Sequence, residues 1–156
     1  MLDEDPRAAL IYAEAVRALE QQSGVVESVR GRAGTLLSAA SIATAFLAGL
    51  AIKENEGLAL WSGLATVTFV GILALCIMIL WPRREWKFSS SARVLARSYL
   101  TDDVTLALAQ KDLALWSERW YDANAKKLRW LFAWFEIACA LLGLEIAFWL
   151  FDLWRG

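Results

Sequence analysis

An all-α integral membrane protein, with three transmembrane helices and a cytoplasmic helical stalk, is the fold class this sequence predicts. Three observations predict it. Of 156 residues 58% are hydrophobic, and about 64% are apolar once the nine glycines are included. An ordinary soluble domain holds roughly 45–50% and has too little interior to hide the excess. The charges are also segregated: 70 residues in three stretches carry 3 of the 33 charged side chains. The remaining segments show helical rather than alternating apolar periodicity.

Residues 1–32 form the first water-facing segment. Pro6 suits a first helical turn, with Asp5 as its cap. Tyr12, Val16, Leu19 and Val26 make an apolar stripe, with Glu14, Arg17, Glu20 and Glu27 mostly off it. Six acids and a length of 32 residues make this an uncleaved leader to the first span rather than a signal peptide. Residues 33–52 and 57–81 contain no ionisable side chain, and each is long enough at 1.5 Å per residue to cross a hydrocarbon core of roughly 30 Å. The connector 53–56 is a short external loop. Pro82 ends the second span.

Residues 82–129 return to water. Ser89, Ser90 and Ser91 predict a turn before a short helix near 92–99. Thr101, Asp102 and Asp103 predict the start of the next helix, with acids at the positive end of its dipole. From there Leu106, Ala109, Leu113, Trp116, Trp120 and Ala123 recur at alternating spacings of three and four, a coiled-coil-like seam. Nothing in the sequence breaks that helix before the third span at 130–154, so one helix is expected over 102–154. Helix 7–32 would extend roughly 39 Å and helix 102–129 roughly 42 Å, which lets them lie parallel and bury their stripes together.

Fourteen lysines and arginines lie in 1–32 and 82–129, against Lys53 and Arg155 elsewhere. The positive-inside rule places the N-terminus and 82–129 in the cytoplasm, and the C-terminus outside. Trp61, Trp81, Trp86, Trp130, Trp134 and Trp154 fall near the expected interfaces, as an aromatic belt would. The basic residues at 83–87 and 126–129 serve as topological anchors against membrane lipids.

Composition excludes most catalytic chemistry. There is no histidine, and hence no imidazole base or ligand. Cys76 and Cys139 lie in apolar runs and are expected to be packing residues. A net charge of −1 gives no basic surface for nucleic acid. No phosphate loop, nucleophile–base pair or metal spacing occurs. We therefore expect no enzyme, no cofactor and no nucleic-acid partner.

What remains is polarity inside the spans. Glu136 and Glu145 are nine residues apart, which turns them to opposite faces of one helix. Each either lines a water-filled pore in an oligomer or is neutralised by a proton or by hydroxyls of the first span. Ser38, Ser41 and Thr44 supply such hydroxyls. Small residues, among them Gly34 and Gly49 in the first span and Gly63 and Gly71 in the second, permit close helix packing. That packing is either within one chain or between copies.

The run VESVRGRAGTLLSAASIATAFLAGL, with Arg32, Ala33, Gly34, Thr35, Leu36 and Leu37, resembles the start of small bacterial membrane proteins of the SLATT and Pycsar-type transmembrane effector group. The stretch ANAKKLRWLFAWFEIACALLGLEIAFW, with Asn124 and Glu145, is similar as well. The resemblance covers about 26–156. It implies a homo-oligomeric effector of antiphage or conflict defence that permeabilises the inner membrane when a sensor triggers it. This chain carries no nucleotide-binding domain of the larger effectors, so the resemblance implies a separate sensor protein. A scaffold docking a partner through its cytoplasmic helices, and a small ion or proton channel or transporter subunit, are the alternative readings.

Overall fold

The computed structural model describes residues 6–54, 60–82, 86–88, 99 and 104–155. It holds three helices: α1 (Pro6–Glu54), α2 (Leu60–Leu80) and α3 (Leu106–Arg155). All three are long and apolar enough to cross a membrane, and no strand occurs among the described residues. The chain is an all-α membrane protein.

α1 is a single helix of 49 residues. Pro6 stands at its first position, where its missing N–H removes nothing. The glycines along it keep helical geometry, since none has a positive φ. The helix also runs on through Lys53 and Glu54, so the expected loop at 53–56 begins later; residues 55 and 56 lie outside the described residues. α2 closes with the Trp81 N–H donating to the Ile77 carbonyl at 2.8 Å, immediately before Pro82.

α3 starts at Leu106 rather than at 102. Val104 and Thr105 are not helical, and the Thr105 hydroxyl accepts the Leu108 N–H at 3.3 Å. That is the geometry of a cap three residues ahead of the donor. Thr105 thus takes the place of the expected Thr101–Asp102 start, since its backbone is non-helical and its hydroxyl supplies the acceptor that a capped end needs. Thr101, Asp102 and Asp103 lie outside the described residues. So does the expected turn at Ser89, Ser90 and Ser91, and the short helix at 92–99 except for Tyr99, which is helical.

The chain divides into two compact units. One comprises 1–27 and 83–129, and the other comprises 28–82 and 130–156. In the first, α1 buries Leu19, Gln22 and Val26, and α3 buries Ala114, Ser117 and Asn124. The seam expected at Leu106, Leu113, Trp116 and Trp120 is therefore displaced by one residue. Leu106 is exposed, and Leu113, Trp116 and Trp120 flank the buried line half-covered. The two tryptophans are too wide to fit between closely packed helices and pack edge to face instead, with centroids 5.6 Å apart.

In the spanning unit the fully buried positions are mostly small: Ala33 and Ala40 on α1, Ala65 on α2, and Ala138 on α3. Small side chains let helix backbones approach closely. Each helix buries one line at alternating three- and four-residue or seven-residue spacing, such as Ser62, Ala65, Ile72, Cys76 and Ile79 on α2. Many large apolar side chains face outward, Ile42, Phe46, Leu60 and Val67 among them, while Ile72, Ile79, Leu131 and Trp149 are buried. On a protein in water such a surface would be an aggregation site. In lipid it is the solvated face.

Of the expected tryptophan belt, Trp81 and Trp154 are exposed at helix ends, and Trp130 is exposed midway along α3. Trp61 instead packs on Phe148 and Phe151, at 5.9 and 5.6 Å. Trp86 stacks on Phe88 in the first unit.

Candidate functional site

Glu145 is fully buried in the spanning unit. Its heptad neighbours on α3 are Ala138 and Asp152, so it belongs to the packed line of that helix. The Thr44 hydroxyl of α1 donates to its Oε1. Its Oε2 is buried without a hydrogen-bond partner. The indole of Trp149, one turn further along the same face, lies beside it and interacts with it. Asp152, also on this line, and Ser62 on α2 are buried as well. Of the two readings of Glu145, the hydroxyl-bonded one fits the geometry: Thr44 joins α1 to α3 through it.

Glu136 is turned the other way and is exposed. Nine residues of helix separate the carboxylates, and the structure buries one and exposes the other. A carboxylate facing hydrocarbon carries an insertion penalty of order 2.5–3.5 kcal/mol on scales for aspartate at mid-span, which makes Glu136 the costly side chain of that face.

The hydroxyls of α1 divide by face. Thr44 points inward. Thr35, Ser38 and Ser41 are exposed and donate to the carbonyls one turn back, Gly31 at 3.2 Å, Gly34 at 3.1 Å and Leu37 at 2.8 Å. Such back-bonding satisfies the donor in lipid while leaving the oxygen able to accept. Ser38 and Ser41 lie on the side of α1 away from the buried Ala33 and Ala40 line.

The glycines separate likewise. A Cβ on Gly34, Gly49 or Gly63 would meet nothing within 4 Å. These three do not serve packing inside the chain. Gly71 does, its nearest neighbour being Leu141 Cδ1 at 3.2 Å. Cys76 is buried, and its thiol donates weakly to the Ala33 carbonyl at 3.6 Å. Cys139 is exposed, so it is not the packing residue the sequence led us to expect. The depth of a residue in an apolar run reports proximity to lipid, not which way it faces.

The first unit has its own polar interior, which the apolar stripe of 7–32 did not show. Gln22 donates to the Tyr121 carbonyl at 3.1 Å, and Asn124 to the Lys87 carbonyl at 3.1 Å. The Lys87 ammonium lies 3.9 Å from the centroid of Trp120, a cation–π contact. Gln22 was legible in principle, standing three residues after Leu19 and four before Val26. A groove of about 420 Å³ runs between α1 and α3 in this unit, lined by Ile11, Ala15, Ala18, Ala114, Leu115 and Tyr121, with Lys111 and Glu118 also lining it. No grouping of acidic or cysteine side chains suited to a metal ion occurs among the described residues.

No protein-family model, characterised protein or solved structure matches the chain.

Proposed function

We propose that the protein is a homo-oligomeric effector that permeabilises the bacterial inner membrane, with its N-terminus cytoplasmic and C-terminus outside. One observation carries the reading. Thr35, Ser38 and Ser41 present hydroxyls, and Gly34 and Gly49 bare backbone, on the side of α1 away from its packed line. A helix bound only for lipid has no use for that face. In a ring of copies it offers water an oxygen-lined wall. The resemblance of residues 26–156 to SLATT and Pycsar-type effectors supports the same reading, as does the excess of lysine and arginine in 1–32 and 82–129 for the orientation.

The test is induced expression in cells carrying a potential-sensitive dye, paired with purified protein in dye-loaded vesicles. Depolarisation and release are expected, with Ser38→Leu/Ser41→Leu reducing both. Intact potential at every expression level would remove the reading.

A second reading, docking of a separate sensor or other partner, is favoured by the open groove beside Ala18 and Ala114. Ala18→Trp would fill that groove and is expected to abolish co-purification of a partner. Trp116 and Trp120 are poorer probes, because they make contacts within the unit, Trp116 with Trp120 and Trp120 with Lys87.

A further inference from the structure

The spanning unit contains one carboxylate and one guanidinium that face outward with no hydrogen-bond or ion-pair partner among the described residues: Glu136 on α3 and Arg32 on α1. Arg30, the other basic side chain described in this unit, is partly enclosed, with its Nε buried. Glu136, inside a span, calls for a partner, and none of the described residues supplies one; Arg32 stands at the edge of the first span.

Their depths correspond. Thr44 bonds Glu145, so α1 residue 44 is level with α3 residue 145, and Arg32 is level with residue 133. Glu136 then lies about 5 Å deeper, at 1.5 Å per residue. Side chains on parallel helices lean toward their N-termini alike, so the offset stays at about 5 Å, which a long arginine side chain can span. All copies share one orientation in a membrane, so α1 of one and α3 of the next run parallel at the same depth.

Their surroundings allow contact. Beside Glu136 the outward face of α3 carries Cys139, Ala140 and Gly143, all exposed, and a Cβ on Gly143 would meet nothing within 4 Å. Beside Arg32, α1 presents Thr35, Ala39 and Phe46, also exposed. At 100° per residue, Ser41 lies about 180° and Ser38 about 120° around α1 from Arg32, so this edge takes up Thr35 and leaves Ser38 and Ser41 outside it.

We propose that Glu136 of one copy pairs with Arg32 of a second copy, seating the small-residue face of α3 against the Arg32 edge of α1. The inference rests on the oligomeric reading above and names its contact. Each copy offers one carboxylate and one guanidinium on different helices facing different directions, so the contact is head to tail, and every charge is paired only when the copies close into a ring. Ser38 and Ser41 are then left free to line its interior.

Thiol crosslinking of the full-length protein in membranes tests this. In a Cys76→Ser background, Ala39→Cys stands level with the native Cys139 of the neighbouring copy. A short bismaleimide should give a ladder of dimers and higher species that Cys139→Ser removes. Ser41→Cys, on the far side, should give no Cys139-dependent product. Arg32→Glu or Glu136→Arg alone should weaken the ladder roughly tenfold, and the double exchange should restore it; Glu136→Gln, which keeps the shape, should weaken it too. Absence of a ladder, dimers only, a ladder indifferent to charge, or a double variant no better than the singles would each overturn the pairing. Membrane potential read in the same cells separates the two ideas. A charge-dependent ladder without depolarisation removes the permeabilising reading alone, and depolarisation without that ladder removes this contact alone.

Discussion

The two compact units use one device with different fillings on α1. Both pack α1 against α3 along lines of three- and four-residue spacing, and both bury polar side chains there: Ser117 and Asn124 in one, Glu145 and Asp152 in the other. In the first unit the buried line includes Leu19 and Val26, flanked by Trp116 and Trp120. In the spanning unit it includes Ala33, Ala40, Ala65 and Ala138 together with Ile72, Ile79 and Trp149, while Ile42, Phe46, Leu60 and Val67 face out. Water drives large apolar groups inward. Lipid does not distinguish them from itself, so helix association rests on close approach and on interhelical hydrogen bonds. The two lines differ in proportion rather than in kind: α1 fills its line with Leu19 and Val26 in the first unit and with Ala33 and Ala40 in the second.

Breaking close approach should have the largest effect. Ala33→Leu/Ala40→Leu inserts bulk at two positions with no exposed surface and should destabilise by about 1–3 kcal/mol per site. Ala45→Leu, on an exposed face, should leave stability unchanged. Dodecyl sulfate titration of purified protein in detergent micelles measures both, and equal responses would show that α1 is not packed through its alanines. Next comes the polar contact. Thr44→Val keeps the volume but strips Glu145 of its donor, leaving both carboxylate oxygens buried and unpartnered, at about 1–3 kcal/mol. Thr44→Ser should retain most of the stability in the same titration, and a Thr44→Val protein as stable as the parent would show that the hydroxyl is not what holds the carboxylate.

Much of this was legible in the sequence. Charge-free length gave the spans, and the nine-residue spacing separated Glu136 from Glu145. A hydroxyl partner from the first span was one of the alternatives that the sequence left open for the intramembrane glutamates, beside a proton and a pore. Phase was harder. The seam at Leu113, Trp116 and Trp120 follows the large apolar residues, as a water-soluble coiled coil would, whereas the structure buries Ala114, Ser117 and Asn124 one position later. Side-chain size misled there because the buried polar groups form hydrogen bonds, Asn124 to Lys87 among them, that apolar periodicity does not register. The start of α3 was missed for a local reason: two threonines four residues apart, Thr101 and Thr105, each followed by plausible helix, offer the same signal. For the glycines, Gly34, Gly49, Gly63 and Gly71 are alike in sequence, and only three-dimensional neighbours tell them apart.

The first unit should respond to aromatic loss where the spanning unit does not. Trp120→Ala removes the Lys87 cation–π contact and the edge-to-face pair with Trp116, together about 1–2 kcal/mol. Trp120→Phe should recover part of it. Trypsin cleavage within 106–129, followed by mass spectrometry, should accelerate in Trp120→Ala while dodecyl sulfate resistance of the spans stays at the parent value. A parallel loss of both would mean that the two fillings are not energetically separate.

The smallest effect sharpens the contrast most. Replacing a helix glycine by alanine gains about 0.8–1.0 kcal/mol of propensity where space is open. Gly63→Ala meets nothing within 4 Å and should realise that gain, whereas at Gly71 the new methyl meets Leu141 Cδ1 at 3.2 Å. Leu141 must then give by a few tenths of an ångström, against neighbours in a close-packed interior. The two variants, on the same helix and differing only in what lies opposite, should differ by about 0.5–1 kcal/mol in micelle titration, with Gly63→Ala the more stable. Equal gains would mean that Leu141 swings aside freely and that α2 and α3 touch less closely at this level than the alanine line at Ala65 and Ala138 requires.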